Sequence, residues 1–297
     1  MKLIRKLKQR NTEFKKHPIS KDNRKKALCR YIYFHSFSRL KKRQTYRWIN
    51  GLKFYAYAGE AGIVGNIWYG LFEFEESIFV LHFLRKDDLF LDIGANVGHY
   101  SLLASGVKRA NSIAIEPVPA TFEKLKTHIS LNKLQKSITP VRCGVGQQNA
   151  TLYFSTDKST MNRIVAKDYN NKVEVPITTI DTLCDAKKVC LMKIDVEGYE
   201  KFALDGAKNV LKNNGLKAVI IEINDSVKYY NINADEIVSI FYKNGFKPYK
   251  YEPTTRKLIL LDTYNSHQFN TIFIRDVDYV QKRVAGAEKV KIWNKLI

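Results

Sequence analysis

One glycine-rich turn between two apolar stretches most constrains how this chain can fold. The run Leu89-Phe90-Leu91 is followed by residues 92–98, Asp-Ile-Gly-Ala-Asn-Val-Gly, and then by a stretch that predicts a helix. A strand that ends in a carboxylate and turns on two glycines into a helix forms a pocket for a nucleotide-like ligand. Glycine lets the backbone approach that ligand closely, and the helix N-terminus offers N–H groups.

A second carboxylate lies where such a pocket needs one. Glu116 closes the next apolar run, 24 positions after Asp92. In dinucleotide-type folds an acidic residue at about this separation binds ribose hydroxyls. Two strands that both end in an acid at this spacing predict a binding site for a ribose-containing ligand.

From residue 88 onward, apolar runs that suit strands alternate with stretches that suit helices. This alternation predicts an α/β domain with a doubly wound, mostly parallel sheet and right-handed crossovers. The predicted strands are 89–93, 112–116, 138–142, 190–195, 217–223, 246–251 and 270–275, and the predicted helices are 97–106, 118–133, 179–185, 199–213 and 233–244. Within the domain, residues 149–178 form an insertion with two strand-like pieces, 151–154 and 172–177.

The strongest candidates for chemistry follow the fourth and fifth predicted strands. Asp195 and Glu197 end the run at 190–195, and Glu222 and Asn224 end the next one. The carboxyl ends of parallel strands meet at one edge of a sheet, where open α/β folds bind ligands. We therefore expect these acids to line one crevice, although capping of the following helices is the alternative explanation for such residues.

Taken together, these motifs resemble the FkbM family of S-adenosylmethionine-dependent methyltransferases. Besides the turn and the Ile-Glu-Pro run at 115–117, the matching pieces are Val-Pro-Ile-Thr-Thr-Ile-Asp-Thr-Leu at 175–183, Lys-Ile-Asp-Val-Glu-Gly-Tyr-Glu at 193–200, Leu-Asp-Gly-Ala at 204–207 and Ile-Glu-Ile at 221–223. The match is strong over residues 88–224 and loose over 225–275. It implies a Rossmann-like class I methyltransferase with a seven-stranded sheet whose last strand is antiparallel. It also implies O-methylation of sugars or other hydroxylated natural products.

The resemblance assigns roles in binding S-adenosylmethionine. The turn around the methionine part of the cofactor would be formed by Asp92, Gly94, Asn96 and Gly98. Glu116 would bind the ribose hydroxyls, and Cys143 and Gly144 would edge the adenine. Many relatives in the wider superfamily place a carboxylate or an amide near the adenine amine, and this sequence departs from that pattern.

A sugar hydroxyl is a poor nucleophile, so the reaction needs a general base or a hydrogen-bonded carboxylate. We expect Asp195 to be the base, with Glu197 or Glu222 orienting the acceptor. His99 is a competing candidate because it opens the first helix beside the turn. Asn162 and Asn270 are lesser candidates for reaching the same crevice.

The net charge of +21 is concentrated in the first 50 residues, which contain 17 Lys and Arg against two acids. We divide the chain into a basic extension (1–48), in which 1–27 form loose helix or coil, a cap or lid (49–87), the cofactor-binding domain (88–280) and a C-terminal tail (281–297). The extension could bind an anionic membrane surface, a nucleic acid or an acidic glycan, or remain a solvated leader. No apolar run approaches the about 20 residues of a membrane span. We therefore expect a cytoplasmic protein, at most peripheral to the inner face of a membrane.

Three other functions remain as alternatives. A nucleic-acid methyltransferase, above all one that methylates RNA ribose, is suggested by the basic extension and by Lys193 beside Asp195. The chain contains no Asn/Asp-Pro-Pro-Tyr run and no Pro-Cys pair of the kinds that base methylation uses. A dinucleotide oxidoreductase is disfavoured because the turn lacks Gly-x-Gly-x-x-Gly. An interaction protein without activity is disfavoured by the intact turn. A metal site is not predicted, because the four cysteines show no metal-binding spacing.

Overall fold

An eight-stranded sheet forms the centre of the protein. The structure is a computed structural model that describes residues 2–37, 43–57, 62–157, 163–184 and 188–297. Its strands are β1 Arg43–Arg47, β2 Lys53–Tyr57, β3 Leu89–Ile93, β4 Asn111–Ile115, β5 Ile138–Val141, β6 Gly144–Val145, β7 Ala150–Ser155, β8 Ile164–Val165, β9 Lys172–Thr178, β10 Val189–Ile194, β11 Ala218–Glu222, β12 Lys247–Glu252, β13 Lys257–Leu260, β14 Asn270–Ile274, β15 Lys291–Ile292 and β16 Lys295–Leu296. Its helices are α1 Lys2–Lys16, α2 Arg24–Phe37, α3 Asn66–Tyr69, α4 Phe74–Phe83, α5 His99–Leu102, α6 Pro119–Leu131, α7 Ile180–Leu183, α8 Glu200–Asp205, α9 Lys208–Lys212, α10 Ala234–Lys243 and α11 Val277–Ala285.

The strand order of the central sheet is β13-β12-β14-β11-β10-β3-β4-β5. The five strands from β11 to β5 are parallel, and β14 runs antiparallel to both β11 and β12. All seven predicted strands are present, and the predicted antiparallel final strand is confirmed. The carboxyl ends of β3, β4, β10 and β11 therefore meet at one edge of the sheet.

The predicted strand count is wrong by one, because β13 adds an eighth strand at the outer edge next to β12. The sequence gives little sign of it because Ile259 and Leu260 are exposed and leave no alternating buried face. Its anchor is a side chain from a distant helix. Gln281 of α11 accepts from the N–H of Leu258 at 3.1 Å and donates to the carbonyl oxygen of Arg256 at 2.8 Å.

The predicted helix over 199–213 is two shorter helices, α8 and α9, divided at Gly206. A Cβ on Gly206 would lie 2.1 Å from the carbonyl oxygen of Gly146, so only glycine fits where the chain divides the two helices and passes the segment after β6. The Asp181 carboxylate begins the second helix by accepting from the N–H groups of Asn209 and Val210. The insertion itself forms a small sheet in the order β6-β9-β7-β8, and both of its predicted strands are confirmed as β7 and β9.

Residues 2–37 pack onto the domain through the buried side chains of α1, α2 and the segment between them. Phe14 and Phe34 are fully buried, and Ile19 is nearly so. The ring of Phe14 meets that of Tyr69 edge to face, with centroids 5.3 Å apart. The strands β15 and β16 form a C-terminal hairpin. Its Lys295 forms an ion pair with Asp22 at 2.5 Å. Most of the stretch predicted as loose helix or coil is thus helical, and Phe14, Ile19 and Ala27 are buried against the core.

Among the described residues, no helix is long and apolar enough to cross a bilayer.

Replacing Phe14 with alanine tests whether the N-terminal helices belong to the fold. We expect Phe14→Ala to lower the free energy of unfolding by about 3–5 kcal/mol, because it removes a fully buried ring. Lys15→Ala changes an exposed neighbour in the same helix and should stay within about 0.5 kcal/mol of wild type. Urea denaturation of both variants measures the difference. Equal unfolding midpoints would show that this helix contributes nothing to the folded domain.

Candidate active site

The turn between β3 and α5 requires glycine because its backbone passes close to the end of β10. Gly94 has a φ of 76°, and a Cβ placed on it would lie 1.8 Å from the backbone oxygen of Asp195. The N–H groups of Gly94 and Ala95 donate to the carbonyl oxygen of Ile115 at 3.0 and 2.8 Å. The turn is therefore fixed against the ends of both neighbouring strands.

Asp92 holds α5 to the sheet. Its Oδ2 accepts from the N–H of Ser101 at 3.0 Å and from the Ser101 hydroxyl at 2.5 Å. Burial raises the pKa of Asp92 to about 6. Gly98 has a φ of 97° immediately before α5, and a Cβ there would lie 2.8 Å from Cδ1 of Leu125. Asp92 and Gly98 thus fix the shape of the turn.

Glu116 lies at the end of β4 with its carboxylate partly satisfied by the backbone. Oε2 accepts from the N–H of Asn96 at 3.1 Å, and Oε1 accepts from the N–H of Val118 at 2.9 Å. Burial raises the pKa of Glu116 to about 7. Each oxygen retains acceptor capacity, since a carboxylate oxygen has two lone pairs. The carboxylate is thus held in place for donors that enter from the crevice.

The crevice runs along the carboxyl ends of β3, β4 and β10. It is lined by Ile93, Gly94, Asn96, Ile115, Glu116, Pro117, Val118, Thr121, Cys143, Gly144, Val145, Phe154, Asp195, Val196, Glu197 and Tyr199. Cys143 and Gly144 form part of its wall. Burial raises the pKa of the Cys143 thiol to about 11, so this part of the wall carries no charge at neutral pH.

Glu197 faces the crevice from the loop after β10. Its φ of 54° is left-handed. Burial and the charge of Asp195 raise the pKa of the Glu197 carboxyl to about 7.

A second, smaller cavity adjoins the crevice beneath the segment that precedes β3. Its volume is about 80 Å³, and it is lined by Gly62, Ile63, Phe72, Glu73, Asp92, Gly94, Ala95, Asn96, Val97, His99, Tyr100, Lys193 and Asp195. We call it the lid cavity, because four of these residues come from the predicted cap or lid. It shares Gly94, Asn96 and Asp195 with the crevice. Asp195 thus lies on the boundary between the two spaces.

A buried lysine organises the charges around Asp195. Lys193 is only 1% exposed, and its Nζ lies 3.3 Å from Oδ2 of Asp195. Burial alone would lower the pKa of Lys193, but the carboxylates of Asp195, Glu73 and Glu222 outweigh it and raise that pKa. Burial pushes the pKa of Asp195 upward, yet Lys193 and a hydrogen bond from Glu222 hold it below its usual value. Asp195 is therefore kept ionised although its side chain is only partly exposed.

Glu222 differs from Asp195 in its charge. Burial and the neighbouring Asp195 carboxylate raise the pKa of Glu222 to about 9, so it holds a proton at neutral pH. The Asn224 side chain donates to its Oε1 at 2.9 Å. Asn270 lies opposite Glu222 in the β11–β14 register and is nearly buried. Asn162, the other asparagine candidate, lies outside the described residues.

His99 has both of its ring nitrogens in hydrogen bonds with the lid segment. The Asn66 amide donates to Nδ1 at 3.1 Å, which leaves Nε2–H to donate to the Ser77 hydroxyl at 2.8 Å. Ser77 in turn donates to the carbonyl oxygen of Phe72. Burial and the charge of Lys193 lower the pKa of His99 to about 3. This neutral ring, with both nitrogens engaged, fastens the lid segment to α5.

The lid segment contributes a carboxylate that sequence reasoning did not identify. Glu73 has a left-handed φ of 46°, and its Oε2 accepts from the Tyr100 hydroxyl at 2.6 Å. Burial raises the pKa of Glu73, while the nearby Lys193 opposes that shift. The available signal was Lys193 itself, because a lysine inside an apolar strand requires acidic partners.

Comparison with known proteins places this geometry in a family. A family model described as the methyltransferase FkbM domain matches residues 92–248. The hexuronic acid methyltransferase AglP of Haloferax volcanii is 27% identical over 146 residues, which are 48% of this chain and 59% of that protein. Methyltransferase 1 of Beauveria bassiana is 24% identical over 146 residues, 40% of this chain and 58% of that protein. The chain thus matches less than two thirds of the length of these relatives.

A solved structure of a putative transferase from Pyrococcus horikoshii is also similar. It is 17% identical, with a TM-score of 0.43 over 78% of this chain and 70% of that one. A likeness at this level carries no argument about function, and the fold assignment rests on the strand order. The family model covers residues 92–248 and therefore more than half of the chain. The chain belongs to the FkbM methyltransferase family, and its cofactor is S-adenosylmethionine.

Proposed function

We propose that this protein is an O-methyltransferase that transfers the methyl group of S-adenosylmethionine to a hydroxyl of a sugar, a glycan or a related natural product. The position of Asp195 on the boundary between the crevice and the lid cavity carries this proposal. A carboxylate at that boundary can contact an acceptor beside a bound cofactor. The similarity to a protein named as a hexuronic acid methyltransferase supports a sugar as the acceptor.

The crevice suits S-adenosylmethionine in three respects. The turn at Gly94 lies on the crevice wall against the backbone of Asp195, where no Cβ could be accommodated. Glu116 has acceptor capacity left for ribose hydroxyls, and the uncharged wall at Cys143 and Gly144 suits a flat adenine. When bound, the cofactor supplies a methyl group that is already activated toward nucleophiles.

The remaining task of the protein is to place a hydroxyl and receive its proton. Asp195 is ionised and accepts a hydrogen bond from the hydroxyl, which fixes the direction of a lone pair of the acceptor oxygen. As that oxygen would bond to the methyl carbon, the bond from this carbon to the sulfonium sulfur would break, the thioether would leave, and the hydroxyl proton would pass to Asp195. Lys193 keeps Asp195 ionised, and Glu222 orients it by donating a hydrogen bond. We place Glu197 on the cofactor side, and we do not assign base catalysis to His99.

The lid encloses this reaction and brings Glu73 to it. Ile63 and Phe72 supply apolar walls to the lid cavity, and such walls limit the entry of water. The Glu73 carboxylate, held by Tyr100, can accept a hydrogen bond from a second hydroxyl of the acceptor. Sugars offer adjacent hydroxyls, so this pair of carboxylates matches their chemistry.

Methylation of RNA ribose is less well supported. That alternative calls for two lysines with an aspartate and a glutamate around the hydroxyl. Among the described residues that line the lid cavity, Lys193 is the sole lysine. The basic residues of 1–48 instead support attachment of the protein to an anionic membrane surface, where a membrane-bound acceptor would be reached.

Replacing Asp195 with asparagine separates catalysis from cofactor binding. The acceptors tested are hexuronic acids, neutral hexoses and RNA. We expect wild type to transfer label from methyl-labelled S-adenosylmethionine to the sugars. Asp195→Asn should lower kcat by about 10²–10⁴-fold, the range for a lost general base. Its affinity for S-adenosylhomocysteine should stay close to wild type, because the cofactor contacts remain.

The exposed Glu123→Gln is the control for this experiment and should transfer at the wild-type rate. Label that appears on RNA alone would contradict the proposed acceptor. A full rate in Asp195→Asn would contradict the proposed base.

The pKa of Glu222 predicts a pH-dependent stability. A carboxyl with a pKa of about 9 in the folded protein holds its proton where the unfolded chain, with a pKa of about 4.3, has released it. The native state then binds more protons than the unfolded state, so the Glu222 contribution to stability falls as pH rises toward about 9. In Glu222→Gln this contribution is absent. The free energy of unfolding of the variant should therefore rise relative to that of wild type as the pH goes from about 5 to about 9.

Urea denaturation across that pH range measures the effect. Glu174→Gln, an exposed carboxyl in β9, is the control and should follow the wild-type pH profile. Parallel curves for wild type and Glu222→Gln would show that Glu222 does not hold a proton in the folded protein.

A further inference from the structure

A large groove lies on the other side of His99 from the lid cavity, between the N-terminal segment and the C-terminal hairpin. Its volume is about 700 Å³, within the usual range of small-molecule sites. We call it the basic–aromatic groove. It is lined by Arg30, Tyr46, Arg47, Trp48, Ile49, Asn50, Phe54, Asn66, Ile67, Gly70, Val107, Lys108, Glu288, Lys289, Val290, Lys291, Ile292 and Trp293.

The charges that line this groove are unbalanced. Its five cations face one carboxylate, that of Glu288. None of the five forms a salt bridge in the part of the chain that the structure describes. Cations gathered in a concave surface raise the local concentration of anions. The cations are Arg30, Arg47, Lys108, Lys289 and Lys291.

One of the cations that lack a carboxylate partner, Arg30, is partly buried. Its guanidinium stacks on the indole of Trp293, 4.1 Å from the ring centroid. Its Nη1 is buried and, among the described residues, has no hydrogen-bond partner. Burial lowers the pKa of Arg30, and burial together with Arg85 lowers that of Lys108. An anion in the groove would stabilise the charged forms of Arg30 and Lys108 and so oppose both pKa shifts.

Aromatic rings give the same groove a place for a ring-shaped group. Trp48 and Trp293 both line it, and the Trp48 indole is fixed by donating to the carbonyl oxygen of Gly70 at 3.0 Å. Indoles stack on nucleobases and on the apolar faces of other rings. Trp48 also contacts His99, with ring centroids 5.3 Å apart, so the groove and the lid cavity share a wall.

We propose that the basic–aromatic groove binds an organic diphosphate, in which two linked phosphates carry a ring-bearing group. One phosphate monoester carries about −1.5 to −2 charge at pH 7, so two phosphates come closer than one to balancing the five cations. The phosphates pair with the cations, and the ring packs against the Trp48 indole, since Arg30 already stacks on Trp293. The ligand is either a dissolved nucleotide or a lipid-borne diphosphate, since both present two linked phosphates, and the nucleotide probe alone tests the contact with a ring.

Two double variants test this assignment in the full chain without cofactor. Arg47→Gln/Lys291→Gln removes two exposed cations of the groove, and Lys212→Gln/Lys243→Gln removes two exposed cations in α9 and α10. Calorimetric titrations use uridine diphosphate as the dissolved probe and phosphatidylcholine vesicles containing farnesyl diphosphate as the lipid-borne probe. Uridine and plain phosphatidylcholine vesicles control for the phosphates.

We expect the groove variant to bind a diphosphate probe at least about tenfold more weakly than wild type, the scale of a lost charge-assisted hydrogen bond. The distant variant should bind as wild type does. Binding of uridine diphosphate indicates a dissolved ligand, and binding to the doped vesicles alone indicates a lipid-borne one. Thermal unfolding of both variants verifies that they fold.

Three results would overturn the proposal: no binding of either probe, an equal loss in both double variants, or tighter binding of a single-stranded RNA that displaces uridine diphosphate. These titrations involve neither the cofactor nor methyl transfer. Their failure would therefore leave the proposed O-methyltransferase activity standing, and failure of that activity would leave the groove to be tested by itself.

Discussion

The ammonium group of Lys193 is the charge on which the arrangement of the site depends. It is almost fully buried inside a central strand, and a buried charge is tolerated only when it is paired. The acids around it come from separate parts of the chain, with Asp195 beyond the end of its own strand, Glu222 at the end of the next and Glu73 in the lid. Their convergence keeps Asp195 ionised and Glu222 protonated within the same small region, and the proposed mechanism uses this difference.

His99 is one of the residues that join the lid to this site, beside the hydrogen bond from Tyr100 to Glu73. His99 links Asn66 and Ser77 of the lid to α5, and its other neighbour, Trp48, faces the basic–aromatic groove. The lid is thus fixed to the cofactor-binding domain by hydrogen bonds that have no catalytic step of their own. This arrangement explains why a histidine next to the cofactor turn has a low pKa and a structural role.

Much of the fold could be predicted from the sequence, because strand–turn–helix units carry local signals. Gly94, Glu116 and Asp195 mark strand ends, and parallel strands necessarily bring those ends together. The edge strand β13 and the break at Gly206 depend on contacts with Gln281 and Gly146, which no local pattern encodes. The same holds for Glu73, since its place beside Lys193 arises only when the lid packs onto the sheet.

The central claim is that Glu116 and the turn at Gly94 form the cofactor site. Calorimetric titration of S-adenosylhomocysteine into wild type, Glu116→Ala and the exposed control Glu123→Ala tests it without any knowledge of the acceptor. We predict that wild type and the control bind alike, and that Glu116→Ala loses about 1.5–3 kcal/mol of binding free energy, the scale for a hydrogen bond to a charged group. Absence of binding to wild type, or equal affinity in Glu116→Ala, would contradict this account.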